Sequence, residues 1–159
     1  MIVMMGVSGA GKSAVGAALA TKLDVPFREG DMLHPAENVA RMRAGVALSD
    51  ADRAPWLDSV AGWMAANPDG VVTCSALKRA YRDRLRCAAP EAAFVLLDVS
   101  ETMLAARLAH RPAHFMPAAL LASQLATLER PDADERAITV AATDDLHATV
   151  ALVLAALRA

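Results

Sequence analysis

Lysine is scarce in this 159-residue chain: Lys12, Lys22 and Lys78 are the only three, against thirteen arginines. Aromatic residues make up 4% of the chain and cysteines number two. Each shortage excludes something. The net charge of −2 gives no general basis for binding nucleic acid or an anionic membrane surface. Cys74 and Cys87 have neither C-x-x-C nor metal-ligand spacing, so two buried or semi-buried free thiols are expected, which suits a reducing cytoplasm. The longest apolar stretch, Thr149 to Leu157, is too short to cross a bilayer and reads as a last amphipathic helix. No secretory leader is legible, because an apolar strand opens at Met1. There is no internal repeat and no low-complexity linker. With so few aromatics, the hydrophobic content of 55% is carried largely by alanine, which points to many closely packed helices. The length suits a single domain, residues 1–159.

What is present is concentrated near the start. Gly6-Val7-Ser8-Gly9-Ala10-Gly11-Lys12-Ser13 matches the phosphate-binding pattern G-x-x-x-x-G-K-[ST] at every fixed position. The apolar run Met1–Met5 before it reads as a buried strand, and Ala14–Leu23 after it reads as a helix. In that setting the glycines let successive backbone N–H groups turn toward phosphate oxygens, and the helix N-terminus adds positive dipole. Lys12 is expected on the β- and γ-phosphates of a nucleotide, and the Ser13 hydroxyl on Mg²⁺. Where the chain otherwise prefers arginine, a retained Lys12 or Lys78 suggests a need for a compact ammonium group.

Apolar runs then alternate with helical patterns. Val25–Phe27, Val71–Cys74, Ala93–Leu97 and Ile138–Val140 read as strands two to five. This rhythm predicts a three-layer α/β/α fold around a five-stranded parallel sheet. Ligands on such a sheet sit beyond the carboxyl ends of the strands. Asp31 and His34 follow strand two, where a carboxylate can orient or deprotonate a substrate hydroxyl. A turn or cap role is the competing reading, and it is stronger for His34, which precedes Pro35. After strand three, a helical reading places Lys78 and Arg82 on one face, with Arg86 continuing the row. Lys78 and Arg82 are therefore candidates for an anionic substrate; Arg79, Arg84 and Arg86 read as a solvated basic face. Strand three ends in Cys74-Ser75 without the aspartate that many phosphate-loop enzymes place on Mg²⁺. Asp31, a water shell, or Ser13 with the nucleotide alone must then hold the metal.

Asp50–Asn67 reads as one long helix capped by Ser49 or Asp50, with Trp56 and Trp63 as core residues. Arg130–Arg136 reads as a solvated connector. Glu101–His110 reads as a helix leading into Arg111-Pro112-Ala113-His114, so a lid is expected over about residues 101–130. Arg107 and Arg111 are one turn apart there. Arginines on a moving segment can close over ATP, stack on its base and neutralise the phosphoryl group in transfer. Ordinary surface arginines would give the same spacing.

Taken together, these stretches resemble the gluconate kinases, within the phosphate-loop small-molecule kinases related to shikimate and adenylate kinases. The matching residues are Met5–Ser13, Gly30-Asp31, His34-Pro35, Asn38, Gly45, Leu48, Asp50, Asp52-Arg53 and Pro55-Trp56-Leu57. They continue with Cys74-Ser75-Ala76-Leu77-Lys78, Tyr81-Arg82-Asp83, His114-Phe115-Met116, Leu121, Gln124, Thr127-Leu128-Glu129 and Pro131. The resemblance implies transfer of phosphate from ATP to D-gluconate, giving 6-phospho-D-gluconate. It implies Lys12, Asp31 and Arg111 as catalytic residues. Gly6 to Ser13 with Arg107 and Arg111 would hold the nucleotide. Asp31, His34, Arg53, Lys78, Arg82 and His114 would hold the sugar acid, and Ser13 the metal. It also implies a homodimer. The chain departs from such enzymes at Ala47, at Pro112-Ala113, at Ala141-Ala142-Thr143 and at Glu29; Pro112 would stiffen the lid. Two other readings stay open: a sister kinase acting on shikimate or a nucleoside monophosphate, and a non-catalytic module that switches a partner by binding ATP.

Overall fold

A computed structural model describes residues 1–109 and 118–159. Its centre is β1 (Ile2–Met5), flanked by β3 (Val71–Thr73) and β4 (Ala93–Asp98). With β2 (Phe27–Arg28) and β5 (Ile138–Ala141) at the edges, the order is β2-β3-β1-β4-β5, and every pairing is parallel. The register sets Ile2 opposite both Val71 and Ala93. The three central strands, β1, β3 and β4, are buried along most of their length because both faces are covered.

Alternation along the strands splits the core in two. On one face Val3, Met5, Val72, Phe94 and Leu96 pack with Trp56, Val60 and Met64 of α3 (Asp50–Ala66) and with Leu85 of α4 (Arg79–Ala88). On the other, Met4, Val71, Val95, Leu97 and Val140 pack with α1 (Lys12–Leu23) and α7 (Leu146–Ala156). The remaining helices are α2 (Ala36–Arg43), α5 (Glu101–Ala109) and α6 (Ala118–Thr127). Among the described residues, no helix is long and apolar enough to cross a membrane.

The expected strands are all present, with shifted ends. Strand β2 starts later than its apolar run because Val25 N–H bonds back to Ala20 O, closing the end of α1. Helix α3 begins in a capping box: Ser49 Oγ accepts from Asp52 N at 3.2 Å, and Asp52 Oδ2 accepts from Ser49 N at 2.8 Å. Three expectations are corrected. Lys78 is not in helix α4; it is its N-cap, with extended backbone (φ −100, ψ 149), so it shares no helix face with Arg82. The connector 130–136 is not simply solvated, because Glu135 is buried. Of the two thiols Cys74 is buried, and burial pushes its pKa up to about 12, but Cys87 is exposed.

Candidate active site

The phosphate loop joins β1 to α1, and its glycines take backbone conformations closed to other residues. Gly9 and Gly11 have φ of +82° and +96°. Lys12 Nζ donates to Val7 O across the loop at 3.1 Å. The Ser8 amide donates to Gln124 Oε1 of α6 at 2.7 Å, so a loop N–H is already matched to an oxygen. Arg107 lies behind the loop. Its guanidinium donates to Gly9 O at 3.3 Å, Ala10 O at 3.2 Å and Thr143 O at 2.8 Å, and it pairs with Asp144 at 3.2 Å. A recess there is lined by Gly9, Gly11, Ala14, Arg107, Thr143 and Leu146.

On the other side of the loop, a cleft is walled by Ser8, Lys12, Asp31, His34, Arg53, Trp56, Ser75 and Gln124. A 3-10 turn, Gly30–Leu33, carries Asp31 to the end of β2. Gly30 is obligatory at its start, since a Cβ would sit 1.8 Å from Thr73 O. The Gly30 amide donates to Thr73 Oγ1 at 3.0 Å, and Thr73 in turn donates to Glu29. Among the described residues the Asp31 carboxylate has neither a hydrogen bond nor an ion pair. Trp56 serves both the core and the wall. It is 1% exposed, its Nε1 donates to Gly30 O at 2.8 Å, and its ring stacks on His34 at 4.2 Å. Burial lowers the His34 pKa to about 4; Asp31 opposes this and Arg53 adds to it. The ring is therefore neutral near pH 7. Asn38 Nδ2 lies 3.3 Å from His34 Nδ1.

Arg53 reaches the same wall from α3, donating to Leu48 O at 2.5 Å and to Tyr81 Oη at 3.4 Å. Lys78 stands beside it and is engaged: Nζ lies 2.8 Å from both oxygens of Asp50, and Tyr81 Oη donates to the same carboxylate at 2.5 Å. Those hydrogen bonds, from Lys78 first and then Tyr81, hold the Asp50 carboxyl below its ordinary range.

Arg82 is not brought to the cleft. It is 1% exposed, and its donors are spent on Glu135 Oε2 at 2.5 Å, Glu135 Oε1 at 2.7 Å, Ala76 O at 3.1 Å, Leu77 O at 3.3 Å and Glu129 O at 3.0 Å. The Arg82 hydrogen bonds hold the Glu135 carboxyl down at about 2. The clip fastens the loop after β3, in which Ala76 has a left-handed φ of +43°, a strained conformation for a residue with a side chain. Arg86 also turns to Glu135, donating to its main-chain oxygen at 2.5 Å. Arg79 pairs with Asp134 at 2.6 Å and Arg84 with Asp58 at 2.6 Å. Arg111 and His114, expected on the lid, lie outside the described residues, as do Pro112 and Ala113.

Asn38, Gln124 and the clip carried no site role in the sequence reading, and Asp50 carried only that of a helix cap. A polar Gln124 in the apolar run of α6, and Asn38 four residues after His34, were the available signals. A partner 53 residues from Arg82 left none.

A family model described as an AAA domain matches residues 1–131. The chain is 52% identical over 143 residues to the gluconokinase of Gluconobacter oxydans (strain 621H), spanning 87% of this chain and 80% of that one. It is 46% identical over 140 residues to the thermosensitive gluconokinase of Escherichia coli (strain K12), spanning 86% and 75%. The crystal structure of a gluconokinase from Sinorhizobium meliloti 1021 superposes with a TM-score of 0.92 at 50% identity, covering 99% of this chain and 90% of that one. Shikimate kinase from Aquifex aeolicus shares the fold, with a TM-score of 0.62 at 17% identity and 99% and 95% coverage.

Proposed function

We infer the roles of the site residues from one premise: the chain belongs to the gluconokinase family, phosphotransferases that use ATP to convert D-gluconate into 6-phospho-D-gluconate. The observation that carries the assignment is the shared cleft. Lys12 and Ser8 of the phosphate loop and Asp31, His34 and Arg53 line one cavity, so a donor phosphate and an acceptor hydroxyl can meet there.

The loop amides and Lys12 hold the β- and γ-phosphates, which requires Lys12 to leave Val7 O. Asp31 accepts the proton of the primary hydroxyl. That oxygen bonds to the γ-phosphorus, the bond to the bridging oxygen breaks, and ADP leaves. Catalysis of this kind is mostly positioning and charge stabilisation. Ser13 and Asp31 offer a hydroxyl and a carboxylate, hard oxygen donors suited to Mg²⁺. Among the described residues no trio of His, Cys, Asp and Glu gathers to hold an ion alone. Ser13 with the nucleotide phosphates would hold the metal, which would supply charge neutralisation when bound.

Arg53 faces the sugar-acid carboxylate, with Lys78 joining it on release from Asp50. Arg107 serves the nucleotide from the rear recess. Arg82 serves the site indirectly, by holding the Ala76–Leu77 carbonyls. A lid over about residues 101–130 would exclude water from the cleft on closing; its Arg111 and His114 lie outside the described residues. A cytoplasmic homodimer completes the reading, and equilibrium sedimentation tests the dimer. The assay for the whole proposal is ADP release with Mg-ATP and D-gluconate, shikimate, AMP or no acceptor. Release dependent on gluconate is expected, and release only with another acceptor overturns the assignment of the cleft.

A further inference from the structure

We propose that Asn38 is a positioning residue: its side-chain amide fixes His34 as the neutral Nε2–H tautomer, so that the ring donates a hydrogen bond to a hydroxyl oxygen of the sugar acid. This rests on the reading of the cleft as the gluconate site.

The amide's orientation is fixed first. Asn38 is 4% exposed, and its Nδ2 donates to the main-chain oxygen of Asp52 in α3 at 2.7 Å. A carbonyl oxygen only accepts, so the NH₂ end must face α3. The second hydrogen of that group faces His34 Nδ1 at 3.3 Å. A donor there needs a lone pair, so Nδ1 is unprotonated and a neutral ring carries its proton on Nε2. Among the described residues Nε2 has no partner, and His34 lines the cleft.

The ring is held in plane as well as in tautomer. It stacks on Trp56 at 4.2 Å and 12°, and Trp56 is pinned by its bond to Gly30 O. The charged groups acting on it are Asp31 from its own turn and Arg53 from α3; Lys12 of the phosphate loop lines the same cleft, and α2 places the uncharged Asn38 against Nδ1. Asp31 favours an imidazolium, but burial outweighs it and the ring stays neutral. A neutral Nε2–H donates to an oxygen lone pair and cannot take a proton as an unprotonated Nε2 would, so the hydroxyl it holds keeps its own proton for another acceptor. The pair thus helps to read which way the hydroxyl groups of the acceptor point. An aspartate at position 38 would reverse the logic, demanding Nδ1–H and favouring the charged ring.

The test is ring ¹⁵N NMR on the full-length, substrate-free chain at pH 7, with His34 identified by the signals lost in His34→Gln. An acceptor-type Nδ1 and an N–H-type Nε2, unchanged down to about pH 5, are expected. An Nδ1–H tautomer, or titration near the ordinary histidine value, overturns the proposal. In Asn38→Ala, KM for gluconate should rise about tenfold, the loss of one aligned hydrogen bond, with kcat and KM for ATP near wild type. In Asn38→Asp, KM for gluconate should gain a pH dependence in the neutral range that the wild type lacks. An unchanged KM for gluconate in both variants overturns the donor role. Should either variant fail to fold, the wild-type tautomer still decides. That reading needs no substrate, so it fails separately from the gluconate assignment, which fails if no acceptor drives ADP release.

Discussion

Two polar networks, one built on Arg82 of α4 and one on Trp56 of α3, use their hydrogen-bonding capacity in opposite ways. Under α4, Arg82 spends its donors on Glu135 and three main-chain oxygens, deep in the protein. At the cleft wall, Gly30, Trp56, His34 and Asn38 satisfy one another on the inner side only. Asp31 and His34 Nε2 are left without partners among the described residues. The difference teaches what to look for in such a site. Charge and sequence position do not separate a binding residue from a brace, whereas unspent donors and acceptors on a cavity wall do.

The comparison breaks most visibly if a residue with unspent capacity proves silent. Lys12→Ala should lower kcat/KM by about 10³ or more while leaving the thermal melt near wild type, as for loss of a major transition-state charge partner. Asp31→Asn should lower kcat by about 10²–10⁴ with little change in KM for ATP, the scale of a lost general base. Near-wild-type kcat in Asp31→Asn would make that carboxylate a turn residue only.

The braced network predicts the reverse pattern. Arg82→Met leaves the Glu135 charge buried without its main partner, so stability should fall by about 3–5 kcal/mol in urea unfolding. Activity per folded molecule should fall less than in Asp31→Asn, because Arg82 acts only through the loop it holds. A stable Arg82→Met that has lost gluconate affinity would place this guanidinium in the cleft after all.

Acid should separate the two networks. His34 has a folded pKa of about 4, below its ordinary 6.5. Its stabilisation is therefore present above about 6.5 and lost as pH falls toward 4. Glu135 is depressed to about 2 from 4.5, so its contribution is present above 4.5 and lost as pH falls toward 2. In urea unfolding across pH, His34→Gln should flatten the upper window and Glu135→Gln the lower. A single shared window would mean that the networks are one.

These differences mark where the sequence was legible. Five apolar runs, the phosphate-loop spacing and an acid at the end of β2 are local patterns, and local patterns set strands, turns and helix starts. The clip is not local. Helical spacing predicted that Lys78, Arg82 and Arg86 would share a face, but it could not register that Glu135 folds in beneath Arg82 and Arg86. Nor could it register that the chain stays extended through Lys78, which makes that residue a cap. Trp56 was read as core, and it is, yet the same indole forms the wall behind His34. A periodicity argument has no way to report both.

Lys78 gives the smallest effect and the finest test, because it stands between the two networks in kind. It is partly exposed, and its ammonium is matched to Asp50, which also takes the Tyr81 hydroxyl. An exposed pair of this sort contributes little, so a substrate carboxylate can compete for the lysine. If Asp50 holds the place of that carboxylate while the cleft is empty, Asp50→Asn frees Lys78 in advance. KM for gluconate should then fall about threefold, within the strength of the lost pair, with kcat and KM for ATP unchanged. If Lys78 is instead a brace like Arg82, Asp50→Asn only loosens Tyr81 and the start of α3, and KM rises. Gluconate saturation curves for the wild type and this variant therefore decide on which side of the comparison Lys78 belongs.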